Sequence, residues 1–307
     1  MTIYLNGKYI PKEQARYDLF FDGGVFETMR AYGGKIFKLS EHIKRLFMSA
    51  KFLGMNVSYV SEEIEEICCN VLENARLERA SVRISIANGN LMVIVSSLPV
   101  YPQEYYEKGV LITTTSLVKQ PPMPQAKSSN FLPGVIARAE ANRNNPFEVV
   151  FLNHQGFVTE GTVSNIFMVK NGLLITPPPY LGLLNGITRQ CVLEIAMQTG
   201  MRTRQVPFTR YDLFTADEVF LTNSTIEILP VSVVDGRMVG DGMAGKISRG
   251  LREGYWQMVE GYGRYTPPDK KKFYLYSRQC AIYFIIIWTV ICQSYFSSFS
   301  NLPFPVS

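Results

Sequence analysis

The stretch Lys119-Gln-Pro-Pro-Met-Pro-Gln125 constrains this chain more than any other. Proline lacks an amide donor and its ring clashes with a helical backbone, so this stretch fits neither a helix nor a central strand. The chain is therefore expected to divide there. A small N-terminal α/β domain is predicted over residues 1–117, a linker over 118–126 and a larger sheet-rich domain over 127–262. The order of elements on either side reads as α+β.

In the first part, residues 3–10 alternate around Asn6-Gly7, a hairpin signal. Val25 to Tyr32 reads as a strand that turns at Gly33-Gly34. Ser40 is expected to cap a helix with the apolar stripe Ile43, Leu46, Phe47, Ala50 and Leu53, stopped by Gly54. A second helix is predicted from about Ser61 to Leu77. Strands follow at Val82–Ala87 and Leu91–Ser97, joined at Asn88-Gly89, and at Lys108–Ser116. Beyond the prolines, helices are expected over Leu132–Asn142, Thr188–Gln198 and Gly245–Glu260. Strands are expected at Glu148–Leu152, Val163–Val169, Leu173–Thr176 and Glu218–Thr222.

Composition narrows the chemistry. At 47% hydrophobic and 19% charged, the 307 residues can bury a sizeable core. No run reaches about 18 apolar residues, so no ordinary membrane-spanning helix is expected. The opening MTIYLNGKYI lacks the pattern of a secretory signal, and a reduced, cytoplasmic setting is the expectation. Two histidines, His42 and His154, leave little material for a multi-histidine metal site or a Ser-His-Asp triad. Five cysteines without a CxxC pair argue against a disulfide scaffold or a zinc site, so no metal is expected. There is no GxxxxGK[ST] loop, GxSxG elbow or HExxH helix.

The net charge of +5 is local. Residues 263–307 carry five basic residues against Asp269 alone, together with 11 of the 38 aromatics, and leave the body at +1. Nothing in the body reads as a nucleic-acid stripe. The aromatic, basic tail has no helical periodicity and is expected to lie outside the fold. A docked extension and a membrane-contacting segment are its other readings.

Several polar residues could carry chemistry, and each has an ordinary reading beside it. Lys127 follows the linker, where two domains would meet. Desolvated there it becomes a usable amine nucleophile; otherwise it is a solvated lysine. Glu160 lies at a strand edge, where a turn acid is common. Gly186-Ile-Thr-Arg189 opens a helix, either a phosphate site or a plain helix start. Thr222-Asn-Ser-Thr225 ends a strand with a run of donors. Arg45 sits off its helix's apolar stripe, as an anion ligand or an exposed cation.

Taken in order, these segments resemble the class IV pyridoxal-phosphate aminotransferases, or fold type IV, over about residues 2–262. The likeness rests on Gly24-Val-Phe-Glu-Thr-Met-Arg30, His42-Ile-Lys-Arg-Leu46, Lys127-Ser-Ser-Asn-Phe-Leu132, Thr159-Glu-Gly-Thr-Val-Ser-Asn165, Leu184-Asn-Gly-Ile-Thr-Arg189 and Thr222-Asn-Ser224. It implies that Lys127 bonds the cofactor, pyridoxal phosphate, and moves the substrate proton. It implies that Glu160 faces the pyridine nitrogen and Arg45 clamps the phosphate. The backbone of Ile187 with Thr188 would form the phosphate cup, and Ser224 with Asn223 its far side. Phe26 would line the substrate pocket, where Arg83 could meet a carboxylate or face solvent. The family also implies a homodimer acting on a small amino-acid-like substrate.

Departures from the family pattern are Asp22-Gly23-Gly24, where a glycine-aspartate pair is usual, and Arg16-Tyr-Asp-Leu-Phe20 upstream. Within the family, Thr222–Pro230 and Val82–Gly89 look most like aminodeoxychorismate lyases, which release pyruvate from 4-amino-4-deoxychorismate and leave 4-aminobenzoate, a folate precursor. The strand Ser81-Val-Arg83-Ile84 has the arginine of branched-chain aminotransferases without their tyrosine and proline. The hairpin Asn88-Gly-Asn90 lacks the arginine and histidine of D-amino-acid aminotransferases. The lyase is the first expectation, with a branched-chain or D-amino-acid aminotransferase using 2-oxoglutarate next. A cofactor-free binding protein on the same fold is the third reading.

Overall fold

The computed structural model describes residues 1–15, 17–20, 23–118, 125–141 and 145–262. The tail 263–307, most of the predicted linker (119–124) and the departures at Arg16, Phe21 and Asp22 lie outside these.

Among the described residues there are two sheets. The first comprises β1 (Thr2–Leu5), β2 (Lys8–Ile10), β3 (Val25–Tyr32), β4 (Lys35–Ile36), β5 (Ala80–Ala87) and β6 (Asn90–Ser97), in the order β2-β1-β6-β5-β3-β4. Its neighbours run antiparallel and its hairpins turn where the sequence places them. Asn6-Gly7 and Asn88-Gly89 both take positive φ at two successive positions, as a two-residue hairpin turn requires. Helices α1 (Leu39–Phe52) and α2 (Ser61–Ala75) cover one face.

Strand β3 organises the molecule because its side chains alternate between two environments. Val25, Met29 and Ala31 join Ile43, Leu46, Ile64 and Val71 in the core beneath the helices. Arg30 and Tyr32 make their contacts with the second half of the chain.

The second sheet holds β7 (Val110–Thr115), β8 (Glu148–Leu152), β9 (Val158–Gly161), β10 (Asn165–Lys170), β11 (Leu173–Thr176), β12 (Thr203–Gln205), β13 (Glu218–Asn223), β14 (Glu227–Val234) and β15 (Arg237–Met238). Its order is β12-β11-β10-β13-β14-β7-β8-β9, with β15 beside β14. The helices of this half are α3 (Gln103–Lys108), α4 (Leu132–Ala141), α5 (Ile187–Gln198), α6 (Arg210–Phe214) and α7 (Lys246–Tyr262). Phe167 and Phe220 stack at 5.0 Å in a core closed by α5 and α7, and Tyr32 and Phe37 from the first half enter it. Both sheets lie in one compact unit that covers Met1–Leu98 and resumes at Gln103; Pro99–Pro102 falls outside it. No helix among the described residues is long and apolar enough to cross a membrane.

Several elements differ from the sequence expectation. Ser40 does not cap α1: Lys38 takes a left-handed conformation (φ 55°), and the helix starts at Leu39. The Lys38 ammonium reaches Glu41 at 3.1 Å, a contact between side chains that propensity does not register. Strand Val110–Thr115, read from the sequence in the first part, pairs in parallel with β14 and β8 of the second sheet. Strand β14, eight residues long, has no counterpart in the sequence reading. Pro230 and the left-handed Glu227 at its start mask its pattern.

Candidate active site

The candidate residues gather where the open edge of β3 meets the second half. Gly24 carries no side chain because a Cβ there would lie 2.8 Å from the Ala87 Cβ. That closeness lets the segment after the prolines dock as a short edge strand. The Phe26 amide donates to the Lys127 carbonyl (3.0 Å), and the Ser129 amide donates to the Gly24 carbonyl (2.8 Å). The Lys127 amide donates to Ser49 Oγ on α1 (3.0 Å), and that hydroxyl donates to the Arg45 carbonyl (2.9 Å). The lysine backbone is thus tied to the helix that carries Arg45.

The Lys127 amine stands 4.7 Å from the Phe26 ring centre. Burial pushes its pKa down to about 8. Glu27 pulls against this, Arg45 and Arg83 push further down, and Glu160 pulls up. Glu160 is thus near enough to Lys127 for its charge to be felt there. Glu160 is buried on β9, and its Oε2 accepts the Leu184 amide (2.9 Å).

Arg45 is held by a residue to which the sequence reading gave no role. The fully buried Glu27 accepts Arg45 Nε at 2.6 Å and Nη2 at 2.7 Å, a two-pronged pair, and His42 Nδ1 at 2.7 Å. Burial pushes the Glu27 carboxyl up, but Arg45 outweighs it and holds the group at about 2. Burial lowers the pKa of His42, which favours the neutral ring. The remaining Arg45 nitrogen, Nη1, donates to the Asn185 carbonyl (3.0 Å), just ahead of α5.

Helix α5 starts at Ile187, with Thr188 buried in its first turn. The first amides of a helix have no partner within it, and the Thr188 hydroxyl makes no hydrogen bond among the described residues. A Cβ at Gly186 would displace the Asn165 side-chain oxygen from its present place. Asn165 Nδ2 donates to the Leu184 carbonyl (2.7 Å). The dipeptide Leu184-Asn185 therefore joins Glu160, Asn165, Arg45 and the start of α5.

Ser224 follows β13, and its hydroxyl makes no hydrogen bond among the described residues. Asn223 has a different part from the one expected. Its Oδ1 accepts the Thr225 and Ile226 amides (2.8 and 2.9 Å) and the Thr225 hydroxyl (2.9 Å), while Nδ2 donates to the Val163 carbonyl (3.2 Å). With its side chain used in this way, Asn223 shapes the turn that presents Ser224. Arg83 on β5 lies 4.1 Å from the Phe26 ring centre and 5.6 Å from that of Phe131, with no acidic partner among the described residues. Burial lowers its pKa to about 10.

A second layer went unread in the sequence. Glu148, buried on β8, accepts Arg138 Nη2 (2.7 Å), the Thr162 amide and hydroxyl (3.1 and 2.6 Å), the Val163 amide (3.2 Å) and the Ser164 hydroxyl (2.9 Å). It pins the turn directly after Glu160. The sequence signal was present: Thr162 and Ser164 flank that turn, but their acceptor lies 14 and 16 residues upstream.

Two sheets meeting at an amine, with an acid and a helix start bound to one dipeptide, define an enzyme of fold type IV. The crystal structure of the Escherichia coli branched-chain amino acid aminotransferase shares this fold. Its TM-score is 0.80 and its identity 29%, over 88% of this chain and 97% of that one. The chain belongs to the Amino-transferase class IV family, whose pattern matches residues 24–234, and enzymes of this family use pyridoxal phosphate. A putative branched-chain-amino-acid aminotransferase of Methanocaldococcus jannaschii is 37% identical over 283 residues, 86% of this chain and 98% of the relative. A D-alanine aminotransferase of Staphylococcus epidermidis is 30% identical over 280 residues, 85% and 98% of the respective chains.

Proposed function

We propose that this chain is a pyridoxal-phosphate-dependent aminotransferase that exchanges the amino group of an apolar, branched-chain-type amino acid with 2-oxoglutarate. The observation that carries this reading is Arg83. It is a guanidinium without an acidic partner among the described residues, packed on Phe26 and Phe131 beside the Lys127 amine. An aromatic wall with such a cation suits a substrate that has one apolar side chain and a carboxylate.

The donor set fits the cofactor. The hydroxyls of Thr188 and Ser224, the first amides of α5 and Arg45 Nη1 would hold its phosphate. Glu160 would stand at the ring nitrogen and Lys127 at the aldehyde carbon. The bound cofactor supplies an electron sink for the pair left when the substrate Cα loses its proton. Lys127 Nζ takes that proton and later returns it to another carbon. A pKa near 8 suits both halves of the task near neutral pH. Phe26 shields one side of the amine, and Arg83 sets which way the substrate lies.

The lyase reading now stands second, favoured by the Thr222–Pro230 segment, because the relatives named above are aminotransferases. A substrate panel separates the two. Glutamate formation from 2-oxoglutarate with leucine, isoleucine or valine is expected. Pyruvate release from 4-amino-4-deoxychorismate without glutamate formation would overturn the transaminase. A protein without a visible band after addition of pyridoxal phosphate would support the cofactor-free binding module. In this reading the working unit is a homodimer, and light scattering of the active enzyme tests that.

A further inference from the structure

One strongly buried charge near this site has no assigned role. Arg189, in the first turn of α5, is 0% exposed. Two arginines on neighbouring elements have acids: Arg30 meets Glu227 at 3.0 Å and Arg45 meets Glu27 at 2.6 Å. Arg189 has no acidic partner among the described residues. Nη1 donates to Asn185 Oδ1 (2.9 Å), Nη2 donates to the Pro177 carbonyl (3.0 Å) and to Gln205 Oε1 (2.7 Å), and Nε has no partner among the described residues. All of these acceptors are neutral. Burial lowers its pKa to about 10 without a countercharge to offset it.

A buried ion left without a countercharge is costly, and a fold retains one where an anion offsets the cost. Side chains on a helix lean toward its N-terminus, which brings this guanidinium back along the first turn. It grips the side chain of Asn185, whose carbonyl receives Arg45 Nη1. Gln190 Nε2 donates to the same side-chain oxygen. Two cations and the positive end of a helix dipole thus converge on one residue ahead of α5.

We propose that Arg189 is the buried counter-cation of the phosphate held at the start of α5, fixing Asn185 and adding positive charge from behind the cup. It is a positioning residue and touches neither cofactor nor substrate. The proposal rests on the phosphate-cup reading above and adds to it a residue that acts through charge.

The test compares dissociation constants for pyridoxal phosphate and for pyridoxal, whose ratio isolates the phosphate. It also reads the melting temperature of the cofactor-free protein with and without inorganic phosphate. Arg189→Gln is expected to lower the affinity ratio by roughly tenfold or more, since a charge facing a dianion in a low dielectric is removed. Arg189→Lys should stay within about threefold of wild type, because the charge remains. Gln205→Glu covers the case in which Arg189→Gln does not fold. Residue 205 is exposed and lies 2.7 Å from Arg189 Nη2, so the new carboxylate supplies the missing countercharge. That variant should melt higher without phosphate, yet lose about threefold to tenfold of the affinity ratio.

A purely structural Arg189 predicts the same rise in melting temperature with an unchanged ratio, and that result overturns the proposal. So does an Arg189→Lys enzyme whose ratio falls as far as that of Arg189→Gln. A wild-type chain that binds pyridoxal as tightly as pyridoxal phosphate overturns the phosphate cup itself. Wild-type preference for the phosphate with an unaltered preference in Gln205→Glu removes only the role of Arg189.

Discussion

Two charged regions beside strand β3 differ in one respect. At its far end Arg30 faces Glu227 (3.0 Å), which also accepts the Tyr32 hydroxyl (2.8 Å) and Trp256 Nε1 (3.0 Å). Burial pulls the Arg30 pKa down and Glu227 outweighs it, so the net shift is upward. At the near end Lys127 and Arg83 have lowered pKa values, about 8 and about 10, and neither has an acid bonded to it among the described residues. The first region gives its cations an acid, since Arg252 also lies 3.9 Å from Glu227, and it joins two sheets to α7. The second is open and suits anions that come from outside. A cation paired with an acid serves the fold, and a desolvated cation without one marks where an anionic ligand could enter.

The largest expected effect falls on the open region. Lys127→Ala should cut turnover by about 10^4-fold and abolish the visible band of bound cofactor. An active Lys127→Ala enzyme would break the comparison at its centre. Next comes the closed region: Glu227→Leu leaves Arg30 buried without its acid and should cost about 3–5 kcal/mol in urea unfolding. The double variant Arg30→Met with Glu227→Leu should recover much of that loss, since the unpaired charge is then gone. Arg83→Gln should raise KM by roughly tenfold to a hundredfold and change kcat less, as loss of one charged hydrogen bond implies.

Two pH profiles give smaller effects. The folded cofactor-free protein holds Lys127 at about 8, against about 10.4 for a free lysine. Between these values the unfolded chain binds the proton that the folded chain has released. Stability should therefore rise as pH climbs through that window, and Lys127→Met should flatten the rise. Glu27 shows the opposite case. Its carboxyl is held at about 2, below the ordinary value near about 4.3. Its stabilisation is present above that ordinary value and should be lost as pH falls toward about 2, a loss that Glu27→Gln should not show.

Much of the fold was legible because hairpin turns and helix stripes are local. Asn6-Gly7, Asn88-Gly89 and the Ile43–Leu46–Ala50 stripe sit within a few residues of what they organise. Of the candidate site, the family resemblance proposed Lys127, Glu160, Arg45, Ile187 and Thr188, and it assigned no role to Glu27, Asn185, Glu148 or Arg189. Each of these acts on a partner from another element, and no period of about 2 or 3.6 encodes such a pairing.

Short-range signals in the sequence place the hairpin turns, the helix stripes and the residue types that stand ready for amine and phosphate chemistry. Local sterics and hydrophobic periodicity fix those properties. Which charges meet an acid and which are left open follows from the folded arrangement. A side chain's charge state depends on burial and on distance to groups remote in sequence, as Glu27 with Arg45 and Arg189 without an acid both illustrate.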